Sequence, residues 1–211
     1  MDLRRSSYLK HIFLKKSGVN QSDLRIDNDG LSFATWECDS IELTNKIICH
    51  MNKYGKKPTD TTIVDATACT GGDTITFCEY FSRVIPIELS QEKFNMLIHN
   101  LAIYGFNNAY PINNDCIEIM KDIETDIHVI FLDVPWGGNS YKYQEKLELM
   151  LGDMPLDKVV KLFFEIRNEL KLIVLKLPNN YDFVSLKEKL CMYTIEIYSF
   201  KKMKMVFLER M

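Results

Sequence analysis

The sequence predicts an α/β chain: a doubly wound, mostly parallel sheet with a short N-terminal extension. Three observations lead there. Short buried-strand patterns alternate with helical ones from residue 63 onward, the chemically distinctive residues fall just after strands, and only Lys201-Lys202 separates the last two strand candidates. Repeated β-α units build a parallel sheet covered by helices, and a terminal hairpin brings mixed direction to one edge. In such sheets ligands sit beyond the carboxyl ends of the strands, where strand order reverses.

Residues 1–35 are weakly periodic, with Asp29-Gly30 as a turn. Ser40 is expected to cap a helix with Ile41, Thr44, Ile47, Ile48 and Met51 on one face and Gly55 past its end. Residues 63–66 read as a buried strand, followed by a glycine turn and a helix over 74–81. Residues 84–87 form a second strand. Ser90 then caps a helix striped by Phe94, Leu97, Ile98, Leu101 and Ala102, stopped by Gly105. Strands follow at 110–113 and at 128–132, the latter a continuous apolar run. Pro155 opens a helix carrying Val159, Leu162, Phe163 and Ile166. A strand at 172–175, a helix over 182–190 and strands at 194–200 and 203–208 complete seven strand candidates.

The 211 residues include 26 basic and 29 acidic side chains, and 46% are apolar. That suits one soluble core and excludes disorder as the main state. No apolar run approaches the roughly 20 residues of a bilayer crossing. Residues 1–16 carry five basic side chains and lack the apolar stretch of a secretory signal. An intracellular site, nuclear or cytoplasmic, is expected. The six cysteines show no metal-pair spacing, so free thiols and no metal are expected. A formal charge of −3 argues against a long non-specific grip on nucleic acid but leaves room for a local basic patch. The basic residues are 20 Lys and 6 Arg, the usage of an AT-rich genome such as that of a protist or a large DNA virus.

Four strand ends carry the chemistry. The first runs through Asp65-Ala66-Thr67-Ala68-Cys69-Thr70-Gly71-Gly72-Asp73-Thr74. Paired glycines between strand and helix allow close backbone approach to a ligand. The spacing is neither G-x-G-x-x-G nor a Walker loop, and an acid at the strand end suits an amine or a sulfonium. Glu88 ends the second strand, where a carboxylate accepts both hydroxyls of a ribose. Asn114-Asp115-Cys116 follows the third, and Asp115 is placed to accept from an adenine amine. The fourth runs into Asp133-Val134-Pro135-Trp136-Gly137-Gly138, and an aromatic held between Pro and Gly is a platform for a flat, cationic base. The four histidines show no triad pattern.

With these motifs the chain resembles the class I S-adenosylmethionine-dependent methyltransferases, and within them the trimethylguanosine synthase family of RNA cap guanine-N2 methyltransferases. Residues 65–74 resemble D-A-F-C-G-x-G-G-N-T, and residues 84–88 resemble V-I-A-I-D. Residues 135–138 match the end of S-P-P-W-G-G, and residues 177–180 resemble L-P-R-N. Residues 27–37 resemble D-x-E-G-W-F-S-V-T-P-E. Three departures stand out. Asp133-Val134 replaces Ser-Pro, moving the motif toward the D-P-P-Y/W of amino-methyltransferases acting on adenine. Asn179 replaces the Arg, and Ser32-Phe33 and Trp36 replace Phe-Ser and Pro.

The resemblance implies a Rossmann-like methyltransferase domain over 36–211, with residues 1–35 contributing to the substrate site. It implies transfer of a methyl group from S-adenosylmethionine to the exocyclic N2 of a 7-methylguanosine cap by in-line displacement, without a metal. The implied donor contacts are Thr35, Asp65, Thr67, Gly71, Gly72, Glu88, Asp115 and Asp133. On the acceptor side Trp136 stacks on the base, Asp133 and Pro135 orient the amine, and Asn100 bonds the guanine edge. Phe33, Lys10, Lys142 and Asn179 make further substrate contacts, and Lys15, Lys16 and Lys176 are candidate phosphate contacts. The expected partner is capped RNA or a cap analogue, met by a monomer without a membrane. Two alternatives stay open: an amino-methyltransferase acting on adenine or internal guanine of RNA or DNA, and a non-catalytic cap- or partner-binding module of the same fold.

Overall fold

A computed structural model describes the backbone of residues 3–211 and the side chains of residues 8–211 except that of Asn139. Helices α1 (Leu3–Ile12), α2 (Asn28–Phe33) and α3 (Glu37–Lys53) precede strand β1 (Thr62–Asp65). Then come α4 (Gly72–Tyr80), β2 (Arg83–Glu88), α5 (Gln91–Tyr104), β3 (Ile112–Asn113), α6 (Cys116–Ile119) and β4 (Val129–Leu132). A short pair, β5 (Met150–Leu151) and β6 (Met154–Pro155), leads into α7 (Leu156–Ile166), β7 (Leu172–Pro178), α8 (Phe183–Lys189), β8 (Tyr193–Ser199) and β9 (Met203–Arg210). The seven-stranded sheet has the order β3-β2-β1-β4-β7-β9-β8. β1 runs parallel to β2, β2 to β3 and β4 to β7, while β9 is antiparallel to both β7 and β8. The predicted doubly wound sheet with a mixed edge is the observed one. No helix is long and apolar enough to cross a membrane among the described residues.

The chain divides into two compact units, Met1–Glu118 and Ile119–Met211. In the first, β1 is buried at all four positions, as a parallel strand covered on both faces must be. Ser90 caps α5 as expected, its side chain accepting from Lys93 N, and Gly105 ends the helix at φ +67. Two local signals misled. Asp29-Gly30 lies inside α2, because Asp27 Oδ1 accepts from Gly30 N at 2.7 Å and starts a helix there. Ser40 is not a cap but a buried residue within α3, which begins at Glu37. Glu37 is held in that first turn from outside: Lys15 donates its backbone N–H to Oε1 at 2.6 Å and places its ammonium 2.9 Å from Oε2. A carboxylate there also complements the positive end of the helix.

In the second unit β4 and β7 are wholly buried. The helix after Pro155 buries Val159, Val160, Phe163 and Phe164, a face rotated from the expected one, with Leu162 and Ile166 half-buried. Asp182 caps α8 by accepting from Ser185 N at 3.0 Å.

All six cysteines are free. Burial pushes the Cys69 thiol up to about 11 and those of Cys78 and Cys116 up to about 12, whereas Cys38, Cys49 and Cys191 are exposed. Thiolate is the reactive form, so a disulfide reagent at pH 8 should titrate three thiols quickly and the other three only after unfolding. Six fast thiols in the folded protein would contradict this packing.

Candidate active site

The loop between β1 and α4 is shaped by backbone constraint. Gly71 has φ +95, a left-handed conformation that favours glycine, and a Cβ there would stand 2.8 Å from Leu97 Cδ1, so the end of that side chain would have to shift. Cys69 also lies in the left-handed region, at φ +49, where a β-carbon is disfavoured. Its N–H donates to Glu88 Oε2 at 2.9 Å, and Ser90 N donates to Glu88 Oε1 at 2.7 Å. The carboxylate at the end of β2 thus fixes the loop at the end of β1. Glu88 stays partly exposed, and each oxygen has lone-pair capacity beyond the amide it accepts from. Asp65, expected to touch the donor, is only 2% exposed and accepts the Thr74 hydroxyl at 2.5 Å. Thr67 is half-buried within the loop.

β2 and β3 pair so that Glu88 lies opposite Asn113, which brings Asp115 to the neighbouring strand end. Asp115 Oδ1 accepts from Ile117 N at 2.7 Å. Asp115 and Glu88 share a neighbourhood, since both add to the rise that burial imposes on the Cys116 thiol. Leu89, which the sequence reading passed over, is 69% exposed directly beside Glu88. An apolar side chain following a strand-terminal acid was the available signal. Asp73 was missed as well: its Oδ2 accepts the hydroxyl of Thr35 at 2.7 Å, while Oδ1 is buried without a hydrogen-bond partner.

One face of α5 clasps the N-terminal stretch. Lys93 Nζ is 3.7 Å from Asp27 Oδ2, Asn100 is bonded to Arg25, and Tyr104 OH donates to Leu14 O at 2.5 Å. These helix positions share a stripe. Asn100 corrects an expectation. It is 0% exposed; Nδ2 donates to Arg25 O at 2.7 Å and Thr70 O at 2.8 Å, and Oδ1 accepts from Arg25 N at 2.8 Å. With both amide hydrogens engaged and no solvent access, it is not placed to read a guanine edge; it ties residue 25 to the loop between β1 and α4. Phe33 is 37% exposed. Lys10 is exposed and lines a groove of about 430 Å³ with Lys15 and Lys16, whose ammoniums already pair with Glu37 at 2.9 Å and Glu79 at 2.8 Å.

In the second unit, β4 and β7 pair with Leu132 opposite Leu175, which sets Asp133 beside Lys176. Lys176 is 1% exposed, and its Nζ lies 2.6 Å from Asp133 Oδ2. Its expected phosphate contact is therefore withdrawn: the ammonium is buried against a carboxylate. Trp136 is half-buried, with Nε1 donating to Lys176 O at 3.4 Å and the Tyr141 ring edge-on at 5.2 Å. Pro135, Lys142 and Asn179 are exposed. The neighbouring Asn180 donates to Tyr141 O and Gln144 O, both at 2.7 Å, securing the segment after Trp136.

A family model described as RNA cap guanine-N2 methyltransferase matches residues 60–210. The chain belongs to this family. It is 34% identical over 125 residues to a trimethylguanosine synthase of Schizosaccharomyces pombe, covering 57% of this chain and 51% of that protein. It is 29% identical over 218 aligned positions to an uncharacterized protein of Acanthamoeba polyphaga mimivirus, covering 94% of this chain and 84% of that one. Among solved structures, precorrin-6y C5,15-methyltransferase from Geobacter metallireducens superposes with a TM-score of 0.63 at 14% identity, over 92% of this chain and 97% of the other. SMU.1697c from Streptococcus mutans, in complex with SAH, gives 0.56 at 13%, over 82% and 98%. The cap guanine-N2 methyltransferases take their methyl group from S-adenosylmethionine, and so does this member.

The first unit fits that donor. Two partly exposed carboxylates at adjacent strand ends suit hydroxyl and amine donors, Leu89 offers an apolar face, and Asp73 Oδ1 is a buried anionic oxygen short of a donor. Two outcomes follow. Gly71→Ala should weaken S-adenosylmethionine binding at least about tenfold by calorimetric titration, since the left-handed conformation disfavours a β-carbon and the Leu97 side chain must shift; unchanged affinity would remove the loop from the site. Asn100→Ala, which removes the partner of one buried and two part-buried backbone groups, should cost about 2–3 kcal/mol in urea unfolding and open the segment near Arg25 to protease. A loss below about 1 kcal/mol would mean that the bracket is not structural.

Proposed function

We propose that this member methylates the exocyclic N2 of a 7-methylguanosine cap. The observation that carries the reading is Trp136, an indole set beside Asp133 by its hydrogen bond to Lys176 O. When bound, S-adenosylmethionine supplies a methyl group on a positively charged sulfur. Glu88 accepts from the ribose hydroxyls, Asp115 from the adenine amine, and Leu89 covers the adenine face. Asp73, positioned by Thr35, holds the ammonium end.

On the acceptor side, the positive charge that a 7-methyl group confers on guanine makes its stacking on Trp136 stronger than that of an unmethylated base, by about 1–2 kcal/mol when desolvated. Asp133 accepts a hydrogen from N2 and so turns the nitrogen lone pair away from itself. Pro135 limits the backbone freedom between the two. Positioning supplies most of the rate, and no strong base is needed because the proton is lost after the amine has gained its methyl group. Residues 1–35 contribute through Lys10 and Phe33, with Lys142 and Asn179 meeting the phosphates beyond the base.

Mass spectrometry of products from 7-methyl-GTP, GTP and adenine-containing RNA tests this. A methylated product is expected from 7-methyl-GTP, with GTP poorer by about tenfold or more. Transfer to adenine alone would overturn the assignment. Trp136→Ala should lower cap methylation about hundredfold and leave donor binding intact; near-normal activity would end the stacking role.

A further inference from the structure

Strand β7 reads Leu-Ile-Val-Leu-Lys-Leu-Pro and is buried at every position, so an ammonium in its middle is out of keeping with its surroundings. Lysine is almost never fully buried without a partner. Lys176 touches both groups assigned to the acceptor base. Its Nζ lies 2.6 Å from Asp133 Oδ2 and 5.7 Å from the Trp136 ring centroid, and its carbonyl accepts from Trp136 Nε1. Asp133 keeps 24% of its side chain exposed while Lys176 keeps 2%. Asp133 is thus the more exposed member of the pair, and a ligand reaches the pair from its side.

We propose that Lys176 is the positioning residue that makes the acceptor site specific for guanine. This rests on the cap reading above. The ammonium 2.6 Å from Oδ2 fixes the Asp133 carboxylate, whose oxygens meet a ligand as acceptors. A fixed, acceptor-only group matches an edge that presents two adjacent donors, as guanine does with N1–H and the 2-amine. It mismatches adenine, whose ring N1 is itself an acceptor. The same lysine fixes the stacking plane through its carbonyl, so base edge and base face are referred to one residue.

The test is competition binding of 7-methyl-GTP against 7-methyl-ITP, which lacks only the 2-amine, with GTP as the control for stacking. Wild type should prefer 7-methyl-GTP over 7-methyl-ITP by at least about tenfold. Lys176→Met should reduce that preference to near unity while keeping the preference for 7-methyl-GTP over GTP and normal S-adenosylmethionine binding. Lys176→Arg should restore much of it. The double variant Lys176→Met with Asp133→Asn leaves no unpaired charge to disturb folding, and it too should lose the preference. Full discrimination in either Met variant overturns the role of Lys176 alone. A wild-type protein indifferent to the 7-methyl group overturns the cap reading as well.

Discussion

Asn100 joins stretches of chain with no local relationship: the extended segment at Arg25, the donor loop at Thr70 and the helix α5 that carries it. Neither loop segment has a ladder to satisfy these backbone groups, of which Thr70 O is buried and the two of Arg25 part-buried, and an unpaired buried group is costly. One carboxamide answers three of them. Because Thr70 is adjacent to Gly71, the bracket also sets where the left-handed turn stands against Leu97. The hydrogen bond from Cys69 to Glu88 then carries that placement to the end of β2. The geometry of the β1–α4 loop in the first unit is therefore inherited from tertiary contacts with the N-terminal stretch.

The second unit depends on a different kind of constraint. Desolvating Lys176 costs several kcal/mol, and only a close partner offsets it. Asp133 is one such partner at 2.6 Å, and breaking a buried pair by removing the acid costs up to about 3–5 kcal/mol. The departure of Asp133-Val134 from the family's Ser-Pro acquires a reason here: the acid is matched by a lysine on the adjoining parallel strand. Sequence inspection had separated the two residues, giving one to the amine and the other to phosphates. They are 43 positions apart, and only the β4–β7 register makes them neighbours.

The β-α alternation, the Ser90 and Asp182 caps, the stop at Gly105 and the terminal hairpin were legible because each rests on residues within a few positions of one another. So was the placement of Glu88, Asp115 and Trp136 at strand ends, since that follows from strand periodicity and turn residues. The start of α3 was not legible, because Glu37 is held by Lys15 across 22 residues. Leu89 and Asp73 carried weak signals, as an exposed apolar residue and a lone Asp in a helix turn are each common.

By itself the sequence determined the fold class, the family and the strand ends where chemistry collects, since periodicity, turn glycines and motif spacing are local properties. Tertiary structure alone decided which polar side chains stay exposed at the strand ends and which are buried against the rest of the protein. Asn100, Asp65 and Lys176 look like ligand contacts in a linear chain. Their burial and their partners, Arg25 and Thr70 for Asn100, Thr74 for Asp65 and Asp133 for Lys176, come from packing that a linear chain does not display.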